Sequence, residues 1–219
     1  VTSFLDNTLD PVVRGYLHTP QTANGHALIL THGAGGNANA PLLVALAETF
    51  TSHGYTALRC DLPFRQAKSF GPPFPAQAAR DRAGLRNAVE LIRKQVSGKV
   101  FLGGHSYGGR QSTMLCAEEP DLTAGLLLLS YPLHPPRKPD QLRTQHLPDL
   151  RTPSLFVHGT RDPFGTIEEM TKAMHLVPAK TELLTVEGAG HDLGFKGKLR
   201  AEEIPARIYE AFALFFHAG

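Results

Sequence analysis

This chain lacks the short motifs by which metal and nucleotide proteins announce themselves. Its 219 residues hold no H-E-x-x-H and no C-x-x-C, and the 11 histidines are scattered, so no metal site is supported. Gly33 to Gly36 lacks both the G-K-[ST] ending of a phosphate loop and the G-x-G-x-x-G spacing of a dinucleotide fingerprint, and no cofactor is expected. Cysteine is scarce: Cys60 and Cys116 stand apart, which fits two reduced core thiols rather than a disulfide framework. Net charge is small, +2 with no basic run, and gives no argument for a nucleic-acid partner. No apolar stretch reaches membrane-spanning length; the longest, Gly125 to Leu129, is the size of a core strand. Val1 to Asp6 lacks a signal-peptide pattern, so the expected compartment is cytoplasmic. The length suits one α/β domain over 1–219.

What the chain does have is Gly103-Gly104-His105-Ser106-Tyr107-Gly108-Gly109. An apolar run, Val100-Phe101-Leu102, precedes it, and a stretch able to form a helix, Gln111 to Glu118, follows. Strand, tight turn and helix are the context of a nucleophile elbow, with Ser106 at the apex of a strained turn. Side chains two residues either side of that serine would collide, and Gly104 and Gly108 remove the collision.

Strand and helix patterns alternate along the chain. Pro11 to His18 and Ala27 to Thr31 read as two antiparallel strands about an Asn24-Gly25 turn. A helix from Pro41 to Gly54 buries Leu42, Leu43, Leu46 and Phe50, and Tyr55 to Asp61 is the next strand. Pro63 to Pro75 is too irregular to assign, and a long helix then spans about Ala76 to Val96. The second half reads as strand 124–130, strand 154–159, helix 167–176, strand 181–186 and helix 204–216. Between 132 and 153 six prolines leave room for at most one short helix, near Asp140 to His146. The class is α/β with a mostly parallel sheet.

In such a sheet the functional loops lie beyond the carboxyl ends of the strands. Three further segments sit there. His32-Gly33-Ala34-Gly35-Gly36 can turn backbone N–H groups toward a ligand ahead of a helix N-terminus. Asp162 follows a strand and precedes Pro163; taken alone it is an ordinary turn aspartate. His191 lies in the glycine loop Glu187-Gly188-Ala189-Gly190-His191, and as one histidine among 11 it says little by itself. The joint order decides: Ser106, Asp162 and His191, each just after a separate strand, follow the chain order of one serine-nucleophile solution.

With H-G-x-G-G at 32–36, G-x-S-x-G-G at 104–109, G-x-x-D at 159–162 and G-x-x-H at 188–191, the chain resembles the α/β-hydrolase superfamily from Arg14 to Phe216. It is similar to capless, dienelactone-hydrolase-like enzymes. It resembles more nearly still the testis-expressed hydrolase-like proteins, through Tyr131 to Pro136 and Gly159 to Gly165. The resemblance implies helices on both faces of the sheet and a catalytic set of Ser106, His191 and Asp162. The oxyanion would meet the backbone N–H groups of Tyr107 and Ala34, with Gly35 as the fallback donor. Expected pocket residues are His32, Gly35, Phe64, His134 and Phe164, with Phe70 and Phe74 as further wall. His134 reads better as a structural or polar lining residue than as a second acid–base group.

The 22 residues from Pro132 to Pro153 are barely enough for one crossover, which implies an open site without a lid. The expected function is hydrolysis of a small-molecule ester or thioester, by a monomer or homodimer with no membrane or nucleic-acid partner. Perhydrolysis by the same residues, and an idle hydrolase fold serving as an interaction module, remain open. The second of these is motivated by a relative that is a subunit of a chromatin-modifying complex.

Overall fold

Leu126 and Leu128 point to one side of their strand and Leu127 and Leu129 to the other, and all four are fully buried. A strand of this kind needs a helix layer on each face of its sheet. The computed structural model, which describes residues 1–195 and 203–217, supplies both layers. The strands are β1 (Thr2–Asp6), β2 (Val13–His18), β3 (Ala27–Thr31), β4 (Thr56–Asp61), β5 (Val100–His105), β6 (Gly125–Leu129), β7 (Ser154–Gly159) and β8 (Thr181–Val186). They form one sheet in the order β1-β2-β4-β3-β5-β6-β7-β8, antiparallel where β2 meets β1 and β4 and parallel elsewhere.

One face carries α1 (Pro41–Ser52) and α6 (Glu203–His217), whose Leu43, Leu46, Phe50, Ile208 and Phe212 pack on Leu28, Leu30 and Phe101. The other carries α3 (Ala78–Arg93), α4 (Tyr107–Glu118) and α5 (Ile167–Met174), with the short α2 (Pro63–Ala67) beside them. Alternate residues of β3, β5 and β6 therefore serve opposite cores, which is why these strands read as unbroken apolar runs. Both thiols are free and buried in the second of these layers. The described residues contain no inserted cap domain, and no helix among them is long and apolar enough to cross a membrane. The expected domain over 1–219 includes 196–202 and 218–219, which lie outside the described residues.

Four expectations need correction. β2 and β3 run in opposite directions but do not pair, because β4 lies between them and bonds to both. β1 has no counterpart in the sequence reading: it is an edge strand, mostly exposed, with no apolar face to betray it. Pro63–Ala67 forms a turn of helix, and the long helix begins at Ala78 after a 3-10 turn and ends at Arg93, leaving Val96 outside it. No helix forms at 140–146. Arg143 instead donates its backbone N–H to the Leu133 carbonyl (2.8 Å) and accepts the Tyr131 hydroxyl on its own carbonyl (2.7 Å), holding the segment as a loop. The only regular structure in this crossover is a 3-10 turn at Leu147–Asp149.

Candidate active site

The hinge of the site is the junction of β5 and α4. Ser106 occupies it at φ 51° and ψ −115°, on the positive-φ side outside the region open to ordinary side chains, and its N–H is tied to the Leu129 carbonyl at 2.8 Å. A non-glycine residue there costs on the order of 1–3 kcal/mol, sustained by the surrounding packing. Space for the turn comes from glycine. A Cβ on Gly104 would lie 2.5 Å from the Gly109 nitrogen, and one on Gly108 would lie 2.6 Å from the His32 carbonyl oxygen. Gly104 thus lets strand and helix close on each other, whereas Gly108 lets α4 pass the end of β3, a different contact from the one expected.

His191 reaches Ser106 from the loop after β8. Its Nε2 is 2.8 Å from Ser106 Oγ, and its Nδ1 is 2.8 Å from Asp162 Oδ2. A carboxylate only accepts, so Nδ1 carries the proton toward Asp162 and leaves the Nε2 lone pair facing the serine hydroxyl. The Asp162 side chain is fully buried, and its other oxygen accepts the Phe164 N–H at 2.9 Å. Phe164 in turn stacks on the His191 ring, with centroids 4.1 Å apart. The loops bearing Asp162 and His191 are joined: Arg161 N–H donates to the Ala189 carbonyl (2.9 Å) and Gly188 N–H to the Thr160 hydroxyl (2.8 Å). Gly159 permits this, since a Cβ there would sit 2.3 Å from the Ala189 carbonyl oxygen.

Two histidines that sequence reasoning passed over brace this arrangement. His105 is bonded through Nε2 to the His191 backbone carbonyl at 2.7 Å, and burial pushes its pKa down to about 4. His158 is fully buried, bonds the Gly165 carbonyl at 2.8 Å, and has its pKa lowered chiefly by burial. His105 occupies the variable position before the serine, so the only sequence signal was its adjacency to Ser106.

A cavity of about 540 Å³ opens at Ser106. Ala34, Tyr107, Arg110 and Phe164 line it, with Phe74 and the neighbouring prolines on one side and Pro132 and Arg143 on the other. The crossover 132–153 thus gives two residues to the wall, and Ser106 itself is 9% exposed at the cavity's edge. A second cavity, of about 440 Å³ near Lys99, Asp121 and Arg151, holds none of these groups. Among the described residues no set of three or more histidines, cysteines or acids is arranged to hold a metal ion.

The expected pocket residues divide. Phe164 and Ala34 line the cavity beside Ser106 and Tyr107, as does Phe74. His32 does not: it is fully buried, with Nδ1 on the Gly33 carbonyl (2.8 Å) and Nε2 accepting the Leu62 N–H (3.1 Å), and burial lowers its pKa. Phe64 is a core residue, packed edge-on against His32 and Tyr107. His134 is buried between the Pro135 carbonyl (2.8 Å) and Glu169 (3.4 Å), away from the cavity lining. Gly35 is exposed and Phe70 projects into solvent, and neither lines the cavity.

Comparison with known proteins agrees with this fold. Residues 24–212 match the profile described as "Alpha/beta hydrolase domain". The chain belongs to that family.

A dienelactone hydrolase from Anabaena variabilis has a similar structure, with a TM-score of 0.78 at 19% identity, covering 99% of this α/β hydrolase and 98% of that chain. A serine hydrolase from Xanthomonas campestris described as without lid gives a TM-score of 0.75 at 14% identity, covering 100% and 96%. In sequence, the hydrolase is 30% identical over 109 residues to a Haemophilus influenzae protein that carries the provisional name esterase/lipase. That match covers 50% of this chain and 35% of the other, so the chain spans about a third of the length of the curated relatives it matches.

Proposed function

We propose that this α/β hydrolase is a serine hydrolase that cleaves carboxylic esters or thioesters of small acyl substrates through an acyl-enzyme. The observation that carries the reading is the unbroken run of 2.8 Å contacts from Ser106 Oγ through His191 to buried Asp162, at the edge of an open cavity. Ser106 Oγ attacks the substrate carbonyl as its proton passes to His191 Nε2, and Asp162 supports the imidazolium so formed. The carbonyl oxygen, now negative, takes hydrogen bonds from the N–H of Tyr107 and of Ala34. The Tyr107 N–H opens α4 and has no partner within the helix. Collapse expels the alcohol or thiol, which leaves with the proton from His191. Water then attacks the acyl-serine, giving its proton to His191, and the acid departs with Ser106 restored.

The lack of an inserted cap domain among the described residues supports small or extended substrates reachable from solvent. Two buried free thiols are in keeping with a reducing, cytoplasmic setting. A fluorophosphonate probe tests the assignment: one label per chain, mapped to Ser106 and absent from Ser106→Ala, is expected. An unlabelled native protein would instead favour an idle hydrolase fold used as an interaction module.

A further inference from the structure

We propose that Arg65 is a positioning residue for the oxyanion site, its guanidinium clamping the turn that carries Ala34 to the loop that walls the cavity. The proposal rests on the serine-hydrolase reading above. Arg65 lies on α2 and is 5% exposed. It spends its donors on four backbone carbonyls: Nε on Gly36 (2.8 Å), Nη2 on Ala34 (2.8 Å) and Gly71 (2.9 Å), and Nη1 on Lys68 (3.1 Å). Two of these belong to the turn closed by Gly36 N–H on the Gly33 carbonyl (3.0 Å), and two to the segment leading into Pro72–Pro75. Ala34 and Pro72–Pro75 both line the cavity.

The consequence for the oxyanion follows from peptide geometry. In a trans peptide each carbonyl points opposite to the next N–H. His32 and Gly36 hold the Gly33 carbonyl, so the Ala34 N–H is directed away from them. Arg65 holds the Ala34 carbonyl in the next peptide, so the peptides on both sides of Ala34 are tethered and rotation of Ala34 between them is opposed. A flipped Ala34 peptide would remove the donor; the clamp opposes that flip.

Charge adds to geometry. Among the described residues no carboxylate stands within ion-pair distance of Arg65, so its positive field is not cancelled by a partner. That field lies a few bonds from the Ala34 N–H, where negative charge would develop during reaction. A lysine keeps the charge but cannot span four carbonyls with one ammonium group.

The test compares native protein with Arg65→Met and Arg65→Lys, using 4-nitrophenyl acetate turnover and inhibition by a trifluoromethyl ketone whose bound form carries an oxyanion. Loss of the donor geometry predicts that kcat falls about tenfold or more in Arg65→Met. The ketone inhibition constant should rise in parallel, with Arg65→Lys between. In Arg65→Ala, dilute guanidinium should restore part of kcat where equal sodium chloride does not. Folded variants whose kcat and ketone affinity both stay near the native values overturn the clamp, as does a kcat loss with unchanged ketone affinity. Native protein that neither turns over ester nor takes the fluorophosphonate defeats the hydrolase reading instead. The clamp is then read alone from amide exchange at Gly36, which Arg65→Met must accelerate and which, if unchanged, overturns it.

Discussion

His105 and His191 meet through a bond that involves only one of their rings: Nε2 of His105 donates to the backbone carbonyl of His191 at 2.7 Å. The residue just before the nucleophile therefore fixes the loop that carries the proposed base. With its pKa pushed down to about 4 by burial, His105 is neutral near pH 7 and acts as a fixed donor.

His105→Leu should leave Ser106 in place but free the 190–192 loop. Turnover of a short ester is expected to fall about tenfold or more, since misplacing a catalytic group by about 1 Å can cost about a hundredfold. The fall should appear in kcat rather than KM. Unchanged kcat in a folded variant would remove His105 from the positioning of His191.

Asp162→Asn presents an amide where a carboxylate accepts the Nδ1 proton at 2.8 Å. The histidine then favours the wrong tautomer, and kcat should drop by roughly four orders of magnitude. Steady-state kinetics read this directly. Asp192 and Glu187 are the nearest other acids in sequence, and a small effect would shift the carboxylate role toward one of them.

The open cavity has a kinetic signature. The crossover contributes only Pro132 and Arg143 to its wall, so no segment there must move before substrate reaches Ser106. Hydrolysis of a sparingly soluble short ester should show neither a lag nor a jump in rate at its solubility limit. A sharp rise at the oil–water interface would contradict this.

Acid should unfold the protein through its buried histidines. His18, His105 and His146 have folded-state pKa values lowered from 6.5 to about 4, each chiefly by burial. Between those values the unfolded chain binds protons that the folded chain does not, so stability rises with pH across the window. Melting temperature should fall as pH drops from 6.5 toward 4, where this contribution levels off. A melting temperature that is flat across the window would contradict these burials.

Most of the fold was legible because its central strands are buried on both faces and its helices are separated from them by glycine and proline. Ser106, Asp162 and His191 were legible through their order after three strands, and the structure brings their side chains together. What sequence could not carry was pairing and direction. β4 inserts between β2 and β3, which no local pattern records. His32, Phe64 and His134 lie in segments near the site, but their side chains turn into the interior, and only packing decides that. His105 and Arg65 owe their importance to partners 86 and 31 or fewer residues distant, invisible to spacing within a motif.

The central claim is that Ser106 is the nucleophile, and the direct measurement is rapid-mixing turnover of 4-nitrophenyl acetate by native protein and Ser106→Ala, with melting curves for both. The account predicts a burst of nitrophenol equal to one acyl group per native chain, then slower steady turnover. In Ser106→Ala the burst should vanish and turnover should fall on the order of a millionfold with the fold intact. Equal turnover by the two proteins, at matching melting temperatures, would contradict it.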